Sequence, residues 1–266
     1  MSTIPVEGGR IAYRRMGSGP PLLVLNGLTA TNADWDPGFL ERLASANELV
    51  LLDNRGIGAS TDDGAPFDIG RLARDTADVI DALALRPASV LGWSMGGFIA
   101  QTLAVEHPAH VEKLVLLGTD PGGAGAVVAD RAVFEQLTDT SGTPHEQARQ
   151  LVAVLFPGDL AESVYRDFGD IVAEARAALS PELVERQVAA CDAWHRDGVA
   201  DRLGGMKAPA LVLTGTKDVV IPPANALALV GAIPGAWLAQ FPGGGHAFMA
   251  QYPKAAANVI NEFLTL

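Results

Sequence analysis

Five short stretches of this chain, PLLVLNG, ELVLLDN, SVLGWS, KLVLLGT and ALVLTGT, are apolar along nearly their whole length instead of alternating. A strand that is apolar on both sides must be covered on both sides, and a parallel sheet between two layers of helices does this repeatedly. The intervening segments have the matching helical period. From Ile69, the residues Leu72, Thr76, Val79, Ile80 and Leu83 share one face, and Pro87 closes the segment. After Pro253, Val259, Ile260, Phe263 and Leu264 fall at helical spacing. At the start, IPVEGGRIAYRR places Gly8 and Gly9 between two strand-like pieces, which predicts an antiparallel hairpin at the sheet edge. The expected class is therefore α/β, with a mostly parallel central sheet flanked by helices.

One region interrupts the alternation. From about Gly122 to about Leu203 there are helical patterns such as ARQLVAVLF and PELVERQVAACDAWH but no strand-like run, and MKAPALVLTGT then resumes the sheet. The expected organisation is a core of residues 1–121 and 204–266 with a helical cap inserted over 122–203. TDPGGAGA and RLGGMKAP are the candidate hinges. A length of 266 residues accommodates one such domain.

Composition excludes several classes of partner. No apolar run approaches the roughly 20 residues that span a bilayer, so no membrane partner is expected. A formal net charge of -12 repels polyanions, and no basic cluster is interleaved with aromatics, which argues against nucleic acid. The start lacks the basic and apolar regions of a secretory signal, and the single cysteine, Cys191, has no intrachain partner; both fit a cytoplasmic location. NRGIGAS lacks the third glycine of a dinucleotide fingerprint, no phosphate-binding G-x-x-x-x-G-K-[ST] occurs, and the five histidines are scattered without a metal-ligand pattern. Neither a cofactor nor a metal is expected. The oligomeric state is not readable at this level.

The chemistry-bearing candidate is Gly92-Trp93-Ser94-Met95-Gly96, which matches G-x-S-x-G at the end of a strand-like run and the start of an apolar helix. Flanking glycines remove the clashes of a sharp strand-to-helix turn, and the helix N-terminus aims its N–H groups where negative charge would develop. The competing reading is that Ser94 caps the helix. A serine nucleophile also needs a base, and the base needs an acid. Downstream, LVLTGTKD ends a strand at Asp218, and AQFPGGGH ends the next at His246. Both belong at the carboxyl edge of the sheet, where the serine turn also emerges. The order Ser, Asp, His is that of the hydrolase version of such a sheet.

Together, LVLNGL, LLDNRGIGAS, GWSMGGFIAQTLAVEHP, GTKDVVIP and GGGHAFMAQYP, in this order, resemble the α/β-hydrolase fold family over nearly the whole chain. Within it the sequence is similar to bacterial enol-lactonase, carboxylesterase and cofactor-free haloperoxidase-like members. The resemblance implies Ser94 as nucleophile, His246 as general base and acid, Asp218 as the acid orienting it, and the backbone N–H groups of Leu28 and Met95 as an oxyanion hole. Asn26 stands before Gly27 where many members carry histidine, as in enol-lactonase-like members; Leu28-Thr29 replaces the Trp-Pro of perhydrolases. The implied activity is cleavage of a small to medium carboxylic ester or lactone. Haloperoxidase or perhydrolase action, proline iminopeptidase-like action and a slow-turnover ligand receptor are the alternatives on the same fold.

Other residues have less reactive readings. Asp120, in LLGTDPGG, also follows a strand and rivals Asp218; its other reading is a turn at the entrance to the insertion. Asp53 and Arg55 are read as structural, and His107 and His110 lie at the wrong edge of the sheet. His145 and His195 fall in the cap, where solvation is the simpler role. Trp93 and Trp194 are candidate pocket residues. Arg131, Arg149, Arg166, Arg176, Arg186, Arg196 and Arg202 lie in or beside the cap with acids among them, which predicts a solvated face and favours a neutral substrate.

Overall fold

The computed structural model describes residues 1–266, apart from the side chain of residue 159. Eight strands form one sheet in the order β1-β2-β4-β3-β5-β6-β7-β8. They are β1 (Ser2–Val6), β2 (Gly9–Gly17), β3 (Pro21–Leu25), β4 (Glu48–Leu52), β5 (Ala88–Trp93), β6 (Val111–Leu117), β7 (Ala210–Gly215) and β8 (Trp237–Phe241). β1 pairs antiparallel with β2, and β2 with β4; every other neighbouring pair is parallel. The expected edge hairpin is thus present, turning at Gly8, whose φ of 68° suits glycine.

The five continuous apolar runs are β3 to β7, and successive residues in each feed two separate cores. Leu23, Leu25, Val50, Leu52, Leu114 and Leu116 enter one; Leu22, Val24, Leu49, Leu51, Val115 and Leu117 enter the other. Both cores need apolar side chains, so alternation is lost, and each buried leucine contributes about 1.5–3 kcal/mol. Helices α2 (Ile69–Ala82), α3 (Met95–Glu106) and α8 (Ala224–Ala232) cover the first face. Helices α1 (Pro37–Ala44), α9 (Phe248–Gln251) and α10 (Pro253–Thr265) cover the second.

Between β6 and β7 stand four further helices, α4 (Arg131–Thr138), α5 (Pro144–Leu155), α6 (Gly158–Ala177) and α7 (Pro181–Asp197). α5 starts at a capping box in which Thr143 and Glu146 satisfy one another's backbone N–H groups. The insertion leaves and re-enters the core through a narrow neck. The N–H of Val199 donates to the Pro121 carbonyl at 3.2 Å, and a Cβ at Gly122 would lie 2.7 Å from the Trp194 carbonyl. Trp194 stacks on Phe98 of α3 with ring centroids 4.9 Å apart, fastening α7 to the core. Among the described residues, no helix is long and apolar enough to cross a membrane.

Candidate active site

Ser94 joins β5 to α3 with φ 56° and ψ -122°, a conformation that is strained for any residue but glycine. The surroundings hold it there. Its N–H donates to the Leu117 carbonyl at 2.9 Å, and its carbonyl accepts from the Gly97 N–H at 2.8 Å and Thr119 Oγ1 at 3.0 Å. A Cβ at Gly92 would collide with the Gly96 carbonyl, and one at Gly96 with the Leu25 carbonyl. The turn therefore accepts a side chain at 94 but none at 92 or 96. The Ser94 hydroxyl makes no capping bond to α3, which removes the helix-cap reading.

His246 follows Gly243-Gly244-Gly245 and is buried. Its Nδ1 lies 2.8 Å from Asp218 Oδ2. The other carboxylate oxygen, Oδ1, accepts from the N–H groups of Val220 and Ile221 at 2.9 and 2.8 Å, so the acid is fixed on both sides. Gly118 packs beside the pair, where a Cβ would approach Asp218 Oδ2 to 3.2 Å and His246 Nδ1 to 3.3 Å. Trp93 Nε1 donates to the His246 carbonyl at 3.1 Å, with the two rings 5.4 Å apart.

Ser94 and His246 line the same cavity, of about 420 Å³. Leu28, Trp35 and Trp93 of the core and Phe156, Val172 and Leu179 of the insertion contribute to its apolar wall. Gly27 abuts the serine, since a Cβ there would stand 3.2 Å from Ser94 Cβ. Leu28, next in the chain, brings a backbone N–H to that wall. No hydrogen bond to this N–H is found among the described residues. Met95 is the first residue of α3, where an N–H has no acceptor within the helix. Beneath Gly27, the Asn26 side chain donates to the Leu52 carbonyl at 2.7 Å and accepts from Trp35 Nε1 at 2.6 Å. The asparagine thus braces the turn that carries Leu28.

Asp120 does not meet His246. Its Oδ1 accepts from Trp194 Nε1 at 2.9 Å and from the Gly122 N–H at 2.8 Å, while His195 Nε2 lies 3.2 Å from Oδ2. Trp194 accordingly faces the neck and is absent from the cavity wall, contrary to the pocket role expected of it; an indole N–H facing a buried carboxylate settles its orientation. His195 is likewise bonded and not simply solvated. His145 is exposed, and His110 sits at the opposite end of the sheet with Asp81 3.1 Å from its Nε2. Asp53 accepts from Asn32 and Ala59, and Arg55 pairs with Asp75 of α2, so both tie the loop after β4 to its neighbours.

The expected solvated face of arginines holds for Arg131, Arg149, Arg166 and Arg202, whose side chains are half-exposed or more. It fails for Arg176, which is 5% exposed and lines the cavity. Helical spacing places it there, since Val172, Ala175 and Leu179 line the same wall. Burial pushes the Arg176 guanidinium below its usual value.

The α/β hydrolase fold family matches residues 20–251, and the chain belongs to it. RutD from Azorhizobium caulinodans, which carries the name of a carbamate hydrolase, is 28% identical over 255 residues, covering 95% of this chain and 92% of its own. The mouse serine hydrolase BPHL is 26% identical over 269 residues, covering 98% of this chain and 85% of its own. The solved enol-lactonase from Burkholderia xenovorans LB400 superposes with a TM-score of 0.83 over 100% of both chains at 24% identity, a likeness of fold.

Proposed function

We propose that the protein is a serine hydrolase that cleaves a small to medium carboxylic ester or lactone through an acyl-enzyme. Ser94 is the nucleophile, His246 the general base and then acid, and Asp218 the group that holds the imidazole. The observation that carries this reading is the 2.8 Å contact between His246 Nδ1 and Asp218 Oδ2, beside a cavity whose wall both His246 and Ser94 share. In that tautomer Nδ1–H donates to the carboxylate and Nε2 is free to accept a proton.

The steps follow from these groups. His246 takes the Ser94 proton as Oγ adds to the carbonyl carbon, and the N–H groups of Leu28 and Met95 receive the oxyanion. Collapse expels the alcohol, protonated by His246. Water, deprotonated by the same imidazole, then adds to the acyl carbon and releases the acid. Each oxyanion donor contributes on the order of 100-fold or more in rate, which gives the bracing of Leu28 by Asn26 a catalytic purpose. The helical insertion over 122–203 acts as a cap that supplies the apolar wall and keeps bulk water from the intermediate.

The test pairs labelling with turnover. Wild-type protein is expected to react with a fluorophosphonate probe and to hydrolyse p-nitrophenyl esters of short to medium chain length. Ser94→Ala should do neither while keeping its circular dichroism spectrum. Undiminished hydrolysis by Ser94→Ala would overturn the reading, and labelling of the wild type without turnover of any ester, lactone or carbamate would favour the ligand receptor instead.

A further inference from the structure

Thr29 has a φ of 59°, a value that a β-branched residue rarely takes. The Ala30 N–H donates to the Gly27 carbonyl at 3.3 Å, so residues 27–30 form a hydrogen-bonded turn with Thr29 at its third position. Leu28 does not share the positive φ, which makes this a type II turn, a form that ordinarily puts glycine or asparagine at that position. A threonine stays there only if groups outside the turn hold it. Two side chains do so, and both come from the helical insertion. Gln187 Oε1 of α7 accepts from the Thr29 N–H at 2.8 Å, and Arg176 Nη1 of α6 donates to Thr29 Oγ1 at 3.3 Å. Among the described residues no other side chain bonds a backbone group of residues 27–30.

Gln187 is fully buried, and its Nε2 has no acceptor. The other buried residues of α7 are apolar apart from the bonded Trp194, and a leucine at 187 would complete their face without an unmet donor. The use of the amide therefore lies in its oxygen. Trp194, two helical turns further along the same face, is bonded to Asp120 and stacked on Phe98, and these contacts fix the face that delivers Gln187. The N–H that Gln187 holds belongs to the peptide between Leu28 and Thr29. Were Thr29 to relax to a negative φ, that peptide would turn over and the torsions of Leu28 would change with it.

We propose that Gln187 is a positioning residue of the oxyanion hole. From the insertion it locks the turn 27–30 in the conformation that offers the Leu28 N–H to the substrate's carbonyl oxygen, and Arg176 steadies the same threonine from α6. Asn26 braces the turn from the core side, and Gln187 closes it from the other. The insertion is then part of the catalytic apparatus as well as a wall of the cavity. The inference rests on the hydrolase reading, in which the Leu28 N–H receives the oxyanion.

The experiment compares wild type, Gln187→Leu and Gln187→Glu in the hydrolysis of p-nitrophenyl butyrate and in inhibition by butylboronic acid, whose tetrahedral adduct on Ser94 places an oxygen in the hole. Gln187→Leu should lower kcat by about tenfold or more with KM little changed, and weaken boronate inhibition by a similar factor. Gln187→Glu, which keeps an acceptor oxygen, should recover most of both. Unchanged kcat and boronate affinity in folded Gln187→Leu would overturn the proposal and leave the hydrolase reading standing. A wild type inert to esters and to the boronate would overturn that reading and the proposal with it. Amide exchange in the wild type decides even where Gln187→Leu fails to fold. The Thr29 N–H should be protected by about a hundredfold or more although Thr29 lines the cavity, and an unprotected amide would overturn the proposal.

Discussion

Trp194 Nε1 donates to Asp120 Oδ1 at 2.9 Å, and this bond commits the acid at the end of β6 to holding the helical insertion. Asp120 and Asp218 are both buried acids following core strands, yet their neighbours divide their tasks. Asp120→Asn should lower stability by about 1–3 kcal/mol through its weakened contacts with Trp194, Gly122 and His195, while kcat stays within about tenfold. Asp218→Asn should lower kcat by on the order of a thousandfold to ten-thousandfold with little change in fold, because an amide no longer holds the productive tautomer. Urea titration and ester kinetics on the two variants separate the roles; a larger catalytic loss in Asp120→Asn would reverse them.

Asn26→Ala removes an acceptor from Trp35 Nε1 and a donor from the Leu52 carbonyl in a fully buried setting. Two orphaned groups cost about 1–3 kcal/mol each. The turn carrying Leu28 loses its brace at the same time, so kcat should fall with KM little changed. Denaturation midpoints and saturation kinetics check both halves.

Gly96 and Gly231 predict opposite outcomes for the same substitution. A methyl group at 96 would collide with the Leu25 carbonyl, so Gly96→Ala should prevent the serine turn from closing and abolish soluble or active protein. Position 231 lies within α8 with open space around it, and Gly231→Ala should raise stability by about 0.5–1 kcal/mol. Thermal unfolding of both variants measures the difference.

Cys191 lies buried in α7, and burial pushes its thiol up, away from the reactive thiolate. Native protein at pH 8 should not react with Ellman's reagent over minutes, and one thiol should appear on addition of guanidinium. Rapid reaction of the folded protein would show that α7 opens readily.

Asp75 receives two hydrogen bonds from Arg55, at 2.7 and 2.8 Å, and Arg55 also donates to the carbonyls of Glu7 and Gly8. The pair ties the loop after β4 to the edge hairpin. Asp75→Asn leaves the arginine buried without its counter-charge and should cost about 3–5 kcal/mol, as read from urea unfolding.

Strands β3 to β7 were legible because both faces of each must be apolar, a demand that leaves an unbroken run. The serine turn was legible because its glycines are sterically required. The partnership of His246 with Asp218, and its refusal to Asp120, depended on side-chain direction at two strand ends that look alike in sequence. Arg176 was hidden for another reason: on a polar-looking helix an arginine that faces inward carries the same letter as its solvated neighbours. Trp194 is not placed by sequence because an indole suits a pocket and a buried acid equally well, and only its contacts with Phe98 and Asp120 decide between them.

The meeting of Gly122 with Gly198 and of Pro121 with Val199 has a consequence for descent. Because the polypeptide departs from and returns to the sheet at almost one point, everything from α4 to α7 can be exchanged as a cassette while the strands and the reacting groups remain where they were. A lineage can in this way acquire a new appetite without reinventing its chemistry.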